Sequence, residues 1–532
     1  MADRFRVSRP LSARLWSGAL ASLALGAAIL TVSAAPAYAE TRLTETPRGN
    51  PTAVSRDVEA LVRDARLGSA KVGVSIVDLS GNTRLAGVGA DTRLIPASNM
   101  KVLTTGAALA VLGVDYTFRT ELLLQDDLLI LKGSGDPALG DPEFLKGVSK
   151  DLTTEHLLTA MVKAVKDANV TSIREIIVDD RIFDRQFVHA RWPLDQLDRH
   201  YCAGVAGLNF HRNVLDFFTR PAPDGASAPA FTLQPAAPWI AREVRISART
   251  VNTGKHTAWI RRDGKLNRFS LLGDVRYEAQ APVRVALHEA PIFTGQLLAD
   301  RLLGAGIRIG TPEASGVAAV RLAETGERFD QARAIALITT PLADVVTLCN
   351  VDSVNLYAEA LIKLLGHVVS GEPGSWETGG SVVRMVLTER LGPSAAQQII
   401  VSDGSGMSRD NQVTPSLMTA FLASMYNDKA LAEPFLASLA EAGDGTLRKR
   451  FRNVKLDNEI RAKSGYLNGV RTLSGYVVNR PTGRAVAFSI LINDLSGSGA
   501  TDSRALQLHE AIVARVDQYL TEVAGATASA SP

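Results

Sequence analysis

Ser98 and Lys101 stand three residues apart in Pro96-Ala97-Ser98-Asn99-Met100-Lys101-Val102-Leu103-Thr104-Thr105-Gly106-Ala107-Ala108-Leu109, a loop entering a mostly apolar helix that Gly113 is placed to stop. Residues three apart on a helix share a face, which puts the ammonium one turn from the hydroxyl. A serine hydroxyl is a poor nucleophile until a base removes its proton, and a neutral lysine can be that base. A lone S-x-x-K also describes a helix-capping serine beside a solvated lysine, so the pair needs company. Two further groups supply it. Asp352-Ser353-Val354-Asn355 opens a second helix, and Ala462-Lys463-Ser464-Gly465-Tyr466 leads into a strand. Singly, Ser353 and Asn355 read as caps and Lys463 as an exposed edge-strand charge.

The order S-x-x-K, S-x-N, K-[ST]-G is the set shared by penicillin-binding proteins and serine β-lactamases. Ser353 follows Ser98 by 255 positions and Lys463 follows Ser353 by 110. With so wide a first gap, the chain resembles the D-alanyl-D-alanine carboxypeptidase/endopeptidase family, the class C low-molecular-mass penicillin-binding proteins of the penicillin-binding protein 4 type. Gly133-Ser134-Gly135-Asp136-Pro137, Asn355-Leu356-Tyr357-Ala358-Glu359, Asp403-Gly404-Ser405-Gly406-Met407-Ser408 and Asp444-Gly445-Thr446-Leu447 are also similar to that family. Together these stretches cover most of residues 50–520. Ser464 departs from the family's usual threonine, keeping the hydroxyl and losing a methyl.

The resemblance implies acyl transfer at a peptide bond ending in D-alanine, with peptidoglycan stem peptides and cross-links as substrates and β-lactams as covalent inhibitors. It implies Ser98 as nucleophile, Lys101 as its base and Ser353 as a proton relay. Asn355 would hold the substrate backbone, and Lys463 with Ser464 the terminal carboxylate. The N–H groups of Ser98 and Tyr466 would form the oxyanion hole. Lys101 must then be neutral, lowered by burial and a second cation, while Lys463 stays charged. No cofactor or metal is implied. The alternatives are a β-lactamase, disfavoured by the long first gap, and a wall-binding module with a relic site, disfavoured because all three motifs keep their reactive groups.

Residues 1–39 read as a signal peptide: Arg4, Arg6, Arg9 and Arg14, a short apolar run from Ala19 to Ser33, then Ala37-Tyr38-Ala39 as the cleavage site. The run is short for a bilayer-spanning anchor. Cleavage after Ala39 would leave an exported, periplasmic protein with no membrane span. The full chain carries 58 Lys+Arg against 55 Asp+Glu. Removing four arginines and Asp3 leaves 54 of each, so no nucleic-acid footprint is expected. Cys202 and Cys349 are too few for a disulfide scaffold, and in an oxidising compartment pairing and separate burial both remain open. His200, Cys202 and His211 lack a fourth zinc ligand or a familiar spacing.

The elements that must position these groups lie at both ends of the chain. Lys71–Leu79 and Thr83–Val88 read as one hairpin, Arg471–Val478 and Ala485–Asn493 as another. A helix near Val54–Ala65 precedes the first, and one from about Asp502 to Val523 follows the second. The expected fold is therefore α+β and multidomain, a penicillin-binding/serine β-lactamase-like sheet flanked by helices. Residues 40–120 and 325–523 would form the catalytic unit, 121–324 a largely β insertion (two nested domains, by resemblance) and 524–532 a disordered tail. Residues 221–238, rich in proline and alanine, read as a surface loop. In the family a stretch similar to Val178-Asp179-Asp180-Arg181 belongs to the insertion overhanging the cleft. Asp179, with Asp180 as the fallback, is accordingly expected to read a distal ammonium of the substrate, against a plain reading as turn or cap aspartates.

Overall fold

The computed structural model describes residues 53–529. The signal-peptide segment and its cleavage site after Ala39 lie outside the described residues, as do residues 530–532.

Both ends of the chain build one six-stranded antiparallel sheet. Its order is Thr83–Val88, Lys71–Asp78, Arg484–Asn493, Val470–Asn479, Glu459–Leu467 and Ala440–Glu441. Side chains alternate across a strand, so each strand can feed two cores. On Arg484–Asn493, Val486, Phe488, Ile490 and Ile492 face one core with Val54 and Val58 of the helix Ala53–Asp64 and Leu508, Ile512 and Val516 of the last helix. Ala485, Ala487 and Leu491 face the other, with Met100, Leu103, Leu361 and Phe421. The last helix runs Gly499–Ser529, past the expected end near Val523 and into the expected tail. Alanine has the highest helix propensity, and extending an existing helix costs little.

The helix Met100–Leu112 lies inside the second core, with every residue from Met100 to Leu109 buried. Gly113 ends it at φ 81°. From there the chain leaves along the strand Thr117–Gln125 and returns beside it, antiparallel, along Arg333–Pro341, which runs into the helix Leu342–Val351. Between them the chain adds three strands, completing a five-stranded mixed sheet, and builds its own core, including Leu129, Leu131, Ile176, Val178, Phe293 and Leu297. Part of the expected loop at 221–238 is instead the strand Ala230–Gln234, paired with Val214–Arg220. Phe231, Thr232 and Leu233 suit a pleated surface better than the flanking prolines suggest.

Buried polar bonds tie this region to the helices around Ser98. Tyr357 donates its hydroxyl to Asp141 Oδ2 (2.5 Å), which also accepts from Arg212 Nε (2.6 Å). Trp192 Nε1 donates to Asp403 Oδ2 (3.0 Å). No helix among the described residues is long and apolar enough to cross a membrane. Tyr357→Phe leaves Asp141 short of a donor in a dry site and should cost about 1–3 kcal/mol in urea unfolding. A change within error would show that this bond does not hold the two parts together.

Candidate active site

The backbone turns sharply before Ser98. Ala97 is fully buried at φ 45°, a conformation uncommon for a residue with a Cβ, and Ala97–Asn99 form one 3-10 turn leading into Met100–Leu112. Neither Ser98 nor Asn99 caps the helix. In the amide orientation that matches donors to acceptors, Asn99 donates to Lys463 O and Thr472 Oγ1 (both 2.9 Å) and accepts from Ser474 N (3.0 Å). Thr472 donates to Pro96 O (2.9 Å). These bonds lay the strand Glu459–Leu467 against the Ser98 turn. Gly465 permits the approach, because a Cβ there would sit 2.1 Å from Thr472 Oγ1 and 2.9 Å from Ser98 N.

Lys101 is completely buried. Its Nζ lies 3.2 Å from Ser98 Oγ, 2.7 Å from Asn355 Oδ1 and 2.9 Å from Ser405 O. Asn355 donates its amide to Tyr201 O (2.9 Å), a contact from the inserted region. Ser353, at φ 59°, is half-buried in the turn between the helices Leu342–Val351 and Asn355–Ser370. It does not cap the following helix, and its hydroxyl has no hydrogen-bond partner among the described residues.

Lys463 is not an exposed edge charge. Its side chain is fully buried, and its Nζ donates to Ser464 O (2.8 Å). Its strand pairs with Val470–Asn479 along its length, while on the other side Ala440–Glu441 pairs only with Ala462 and Arg461 and stops one residue short of Lys463. Ser464 is half-buried, and Tyr466 is 63% exposed, with the Arg471 guanidinium 3.8 Å from its ring centroid. Burial and then Lys101 hold the Lys463 amine well below the ordinary lysine value. Both lysines are pushed down, and Lys463 has no carboxylate partner among the described residues. A bound carboxylate would supply that counter-charge.

Two carboxylates that the sequence motifs contain, but to which no role was assigned, shape the Lys101 environment. Glu359, one turn after Asn355 on the same helix, is fully buried. Its Oε1 accepts from Ser405 N (2.9 Å), and its Oε2 from Gly404 N (3.0 Å) and Trp376 Nε1 (2.7 Å). Asp403 accepts from Gly406 N (2.8 Å), Ser408 N (2.6 Å) and Asn411 Nδ2 (2.7 Å). The two thus fold the 403–408 loop so that Ser405 O reaches Lys101. Burial lowers the Lys101 amine, and Glu359 and Asp403 oppose that fall. Cys349 nearby is pushed up to about 12 by burial, so it is a neutral thiol and adds no charge. Burial, and then Asp403, raises Glu359 to about 7.

Other expectations are corrected. Asp179 is held by Arg181 in a two-point pair (Nε to Oδ1 2.7 Å, Nη2 to Oδ2 2.9 Å), and Asp180 by Arg185 (2.9 Å). Arg181 already neutralises Asp179 at both oxygens, whereas Asp180 meets Arg185 through Oδ1 alone and its Oδ2 is buried without a partner among the described residues. Of the two alternatives open for the cysteines, the structure shows separate burial: Cys202 and Cys349 are both free and buried, Cys202 directed at Met407 Sδ (3.8 Å).

A serine hydroxyl at a strained helix mouth, a buried amine against it and a second amine on the adjoining strand are the groups that a serine acyl-transfer enzyme of the penicillin-binding fold requires. The D-Ala-D-Ala carboxypeptidase 3 (S13) family matches residues 54–517, and the chain belongs to that family. It is 30% identical to a D-alanyl-D-alanine carboxypeptidase of Actinomadura sp. (strain R39), over 92% of this chain and 88% of the relative. It is 24% identical to D-alanyl-D-alanine carboxypeptidase DacB of Haemophilus influenzae, over 84% and 90%. The fold matches the crystal structure of penicillin binding protein 4 (dacB) from Haemophilus influenzae with a TM-score of 0.69, at 22% identity, covering 86% of this chain and 99% of that one.

Glu359 gives a test with a defined sign. Lys101 can accept a proton only when neutral, so acylation rises with pH through its titration. Among the charged groups facing Lys101 (Glu359, Asp403 and Lys463), the carboxylates raise that titration. Glu359 is ionised only above about pH 7, so Glu359→Gln removes its negative charge there, and the part of the penicillin acylation limb above that pH should move to lower pH, even as the looser loop lowers the maximum. An unmoved limb, or one moved to higher pH, would remove Glu359 from the Lys101 environment.

Proposed function

We propose that this serine D-Ala-D-Ala carboxypeptidase works through an acyl-enzyme on Ser98, cleaving peptidoglycan stem peptides, and cross-links of the same chemistry. One observation carries the reading. Asn355 Oδ1 and Ser405 O can only accept, so a neutral Lys101 amine spends its two hydrogens on them. Its lone pair is then left for the Ser98 hydroxyl, 3.2 Å away. The Ser98 proton passes to Lys101 Nζ as Oγ bonds to the carbonyl carbon. The oxyanion collapses, the C–N bond to D-alanine breaks, and its nitrogen takes the proton by way of Lys101 and the Ser353 hydroxyl. Water then reverses the sequence and frees Ser98. The N–H groups of Ser98 and Tyr466 serve the oxyanion, the first at the start of a helix. Asn355 also holds the substrate backbone. Lys463 and Ser464 take the terminal carboxylate, whose charge favours the ammonium form of the lysine. β-Lactams acylate Ser98 by the same steps.

Residues 1–39 are proposed to export the protein to the periplasm and to be cleaved after Ala39, and the basic-apolar-small pattern supports this. Ser98→Ala should abolish penicillin labelling and peptide hydrolysis with little change in melting temperature. A label that persists, or that maps to Ser353, would overturn the assignment. Lys463→Ala should remove the preference for a free over an amidated substrate C-terminus. If amidation costs the wild type and Lys463→Ala equally, Lys463 does not hold the carboxylate.

A further inference from the structure

Three parallel strands, Leu128–Lys132, Glu175–Asp179 and Val320–Leu322, lie side by side in the five-stranded sheet. Their carboxyl ends open onto a cleft of about 890 Å³, bordered by Ser134 after the first, Asp179 to Arg185 after the second and Thr325 after the third. Ligands in sheets with parallel strands collect at this place, and the volume is that of a small-molecule site. Ser98, Lys101, Ser353 and Lys463 do not line it. Its far wall includes His367, on the helix that begins at Asn355. Twelve residues of helix separate the two, roughly 18 Å.

The charges on the walls are unevenly committed. Asp179 is neutralised by Arg181, Glu121 pairs with Lys132 (3.3 Å), and Asp184 accepts from Lys363. Arg181 spends its Nη1 on Glu324 O (3.0 Å) and Glu327 O (2.6 Å). Arg185 spends Nε and Nη2 on Asp180 and Nη2 also on Ala323 O, which leaves its Nη1 without a partner among the described residues. Arg119 is exposed, and its guanidinium has no partner among the described residues. Ser134 Oγ accepts from Arg119 N (2.9 Å), so its own hydrogen is free to donate. Every carboxylate on the wall therefore has a cation, while one whole guanidinium, half of a second and a hydroxyl remain as donors. A planar fork of that kind recognises a carboxylate.

We propose that this cleft is a second binding site for a carboxylate-bearing peptide, a further stem peptide of the same polymer whose D-alanyl bond is cut at Ser98. The choice of peptide rests on the proposed function, because that substrate class carries free carboxylates. The helix length from Asn355 to His367 is within the reach of such a peptide, since five extended residues span at most about 18 Å and a cross-linked pair reaches further. The cleft would hold one arm of a cross-linked substrate while the other lies at Ser98.

The test uses the full exported protein with Ser98 blocked by penicillin, titrated calorimetrically with a soluble disaccharide tetrapeptide. Binding should persist in the blocked enzyme. It should weaken at least about tenfold in Arg119→Glu, and by a similar factor when the peptide carboxylates are amidated. Hydrolysis of a short D-Ala-D-Ala tripeptide by Arg119→Glu should be unchanged. Loss of all binding on blocking, or binding indifferent to Arg119→Glu or to amidation, overturns the proposal. Binding matched by inorganic phosphate at equal affinity also overturns it, as a generic anion site. If penicillin fails to acylate Ser98, the catalytic reading falls, and the cleft is judged by the Arg119 and amidation arms on the unblocked protein.

Discussion

A lysine amine carried fully out of water is the constraint on which the site depends. Desolvation disfavours the ammonium, and an isolated buried charge of this kind is expensive unless neutralised or well bonded. The fold answers with two obligate acceptors, Asn355 Oδ1 and Ser405 O, whose positions fix where the third direction of the nitrogen points. That direction is Ser98. Each acceptor in turn has a structural reason to be where it is. Asn355 starts a helix and is tied to Tyr201 O, and Ser405 sits in a loop folded around two buried carboxylates.

The helix Asn355–Ser370 organises much of this. Asn355, Glu359, Lys363 and His367 recur at four-residue spacing and so form one polar stripe along an otherwise apolar helix. Asn355 meets Lys101, and Glu359 meets the 403–408 loop and Trp376. Lys363 lies 3.9 Å from the centroid of the Trp376 ring and is bonded to Asp184 and Gln186 O. Segment 184–202 of the inserted region reaches this stripe and the adjacent loop through Asp184, Trp192 and Tyr201. The inserted region therefore forms part of the walls of the site.

Much of this was legible in the chain. The S-x-x-K, S-x-N and K-S-G groups converge through elements whose patterns were plain: two alternating hairpins and an apolar helix stopped by Gly113. What escaped was work done through backbone. Glu359 and Asp403 act by accepting main-chain N–H groups of one loop, and for Glu359 the partners lie some 45 residues away, which no periodicity reveals. Asp179, with Asp180 as the fallback, was expected to read a substrate ammonium, but Arg181 and Arg185, two and five residues further on, pair with them instead. Lys463 is buried although Ala440–Glu441 pairs only with Ala462 and Arg461, and a three-residue motif does not signal that burial.

The account turns on Lys101 being a neutral amine that faces Ser98 at working pH. Selective isotopic labelling of the lysine ε-carbons, with Lys101→Met to assign the signal, would follow that titration directly by NMR beside the pH dependence of Ser98 acylation. The account predicts that Lys101 loses its proton below the ordinary lysine value and that acylation rises with the same midpoint. A Lys101 that stays cationic across the range in which acylation runs at full rate would contradict it.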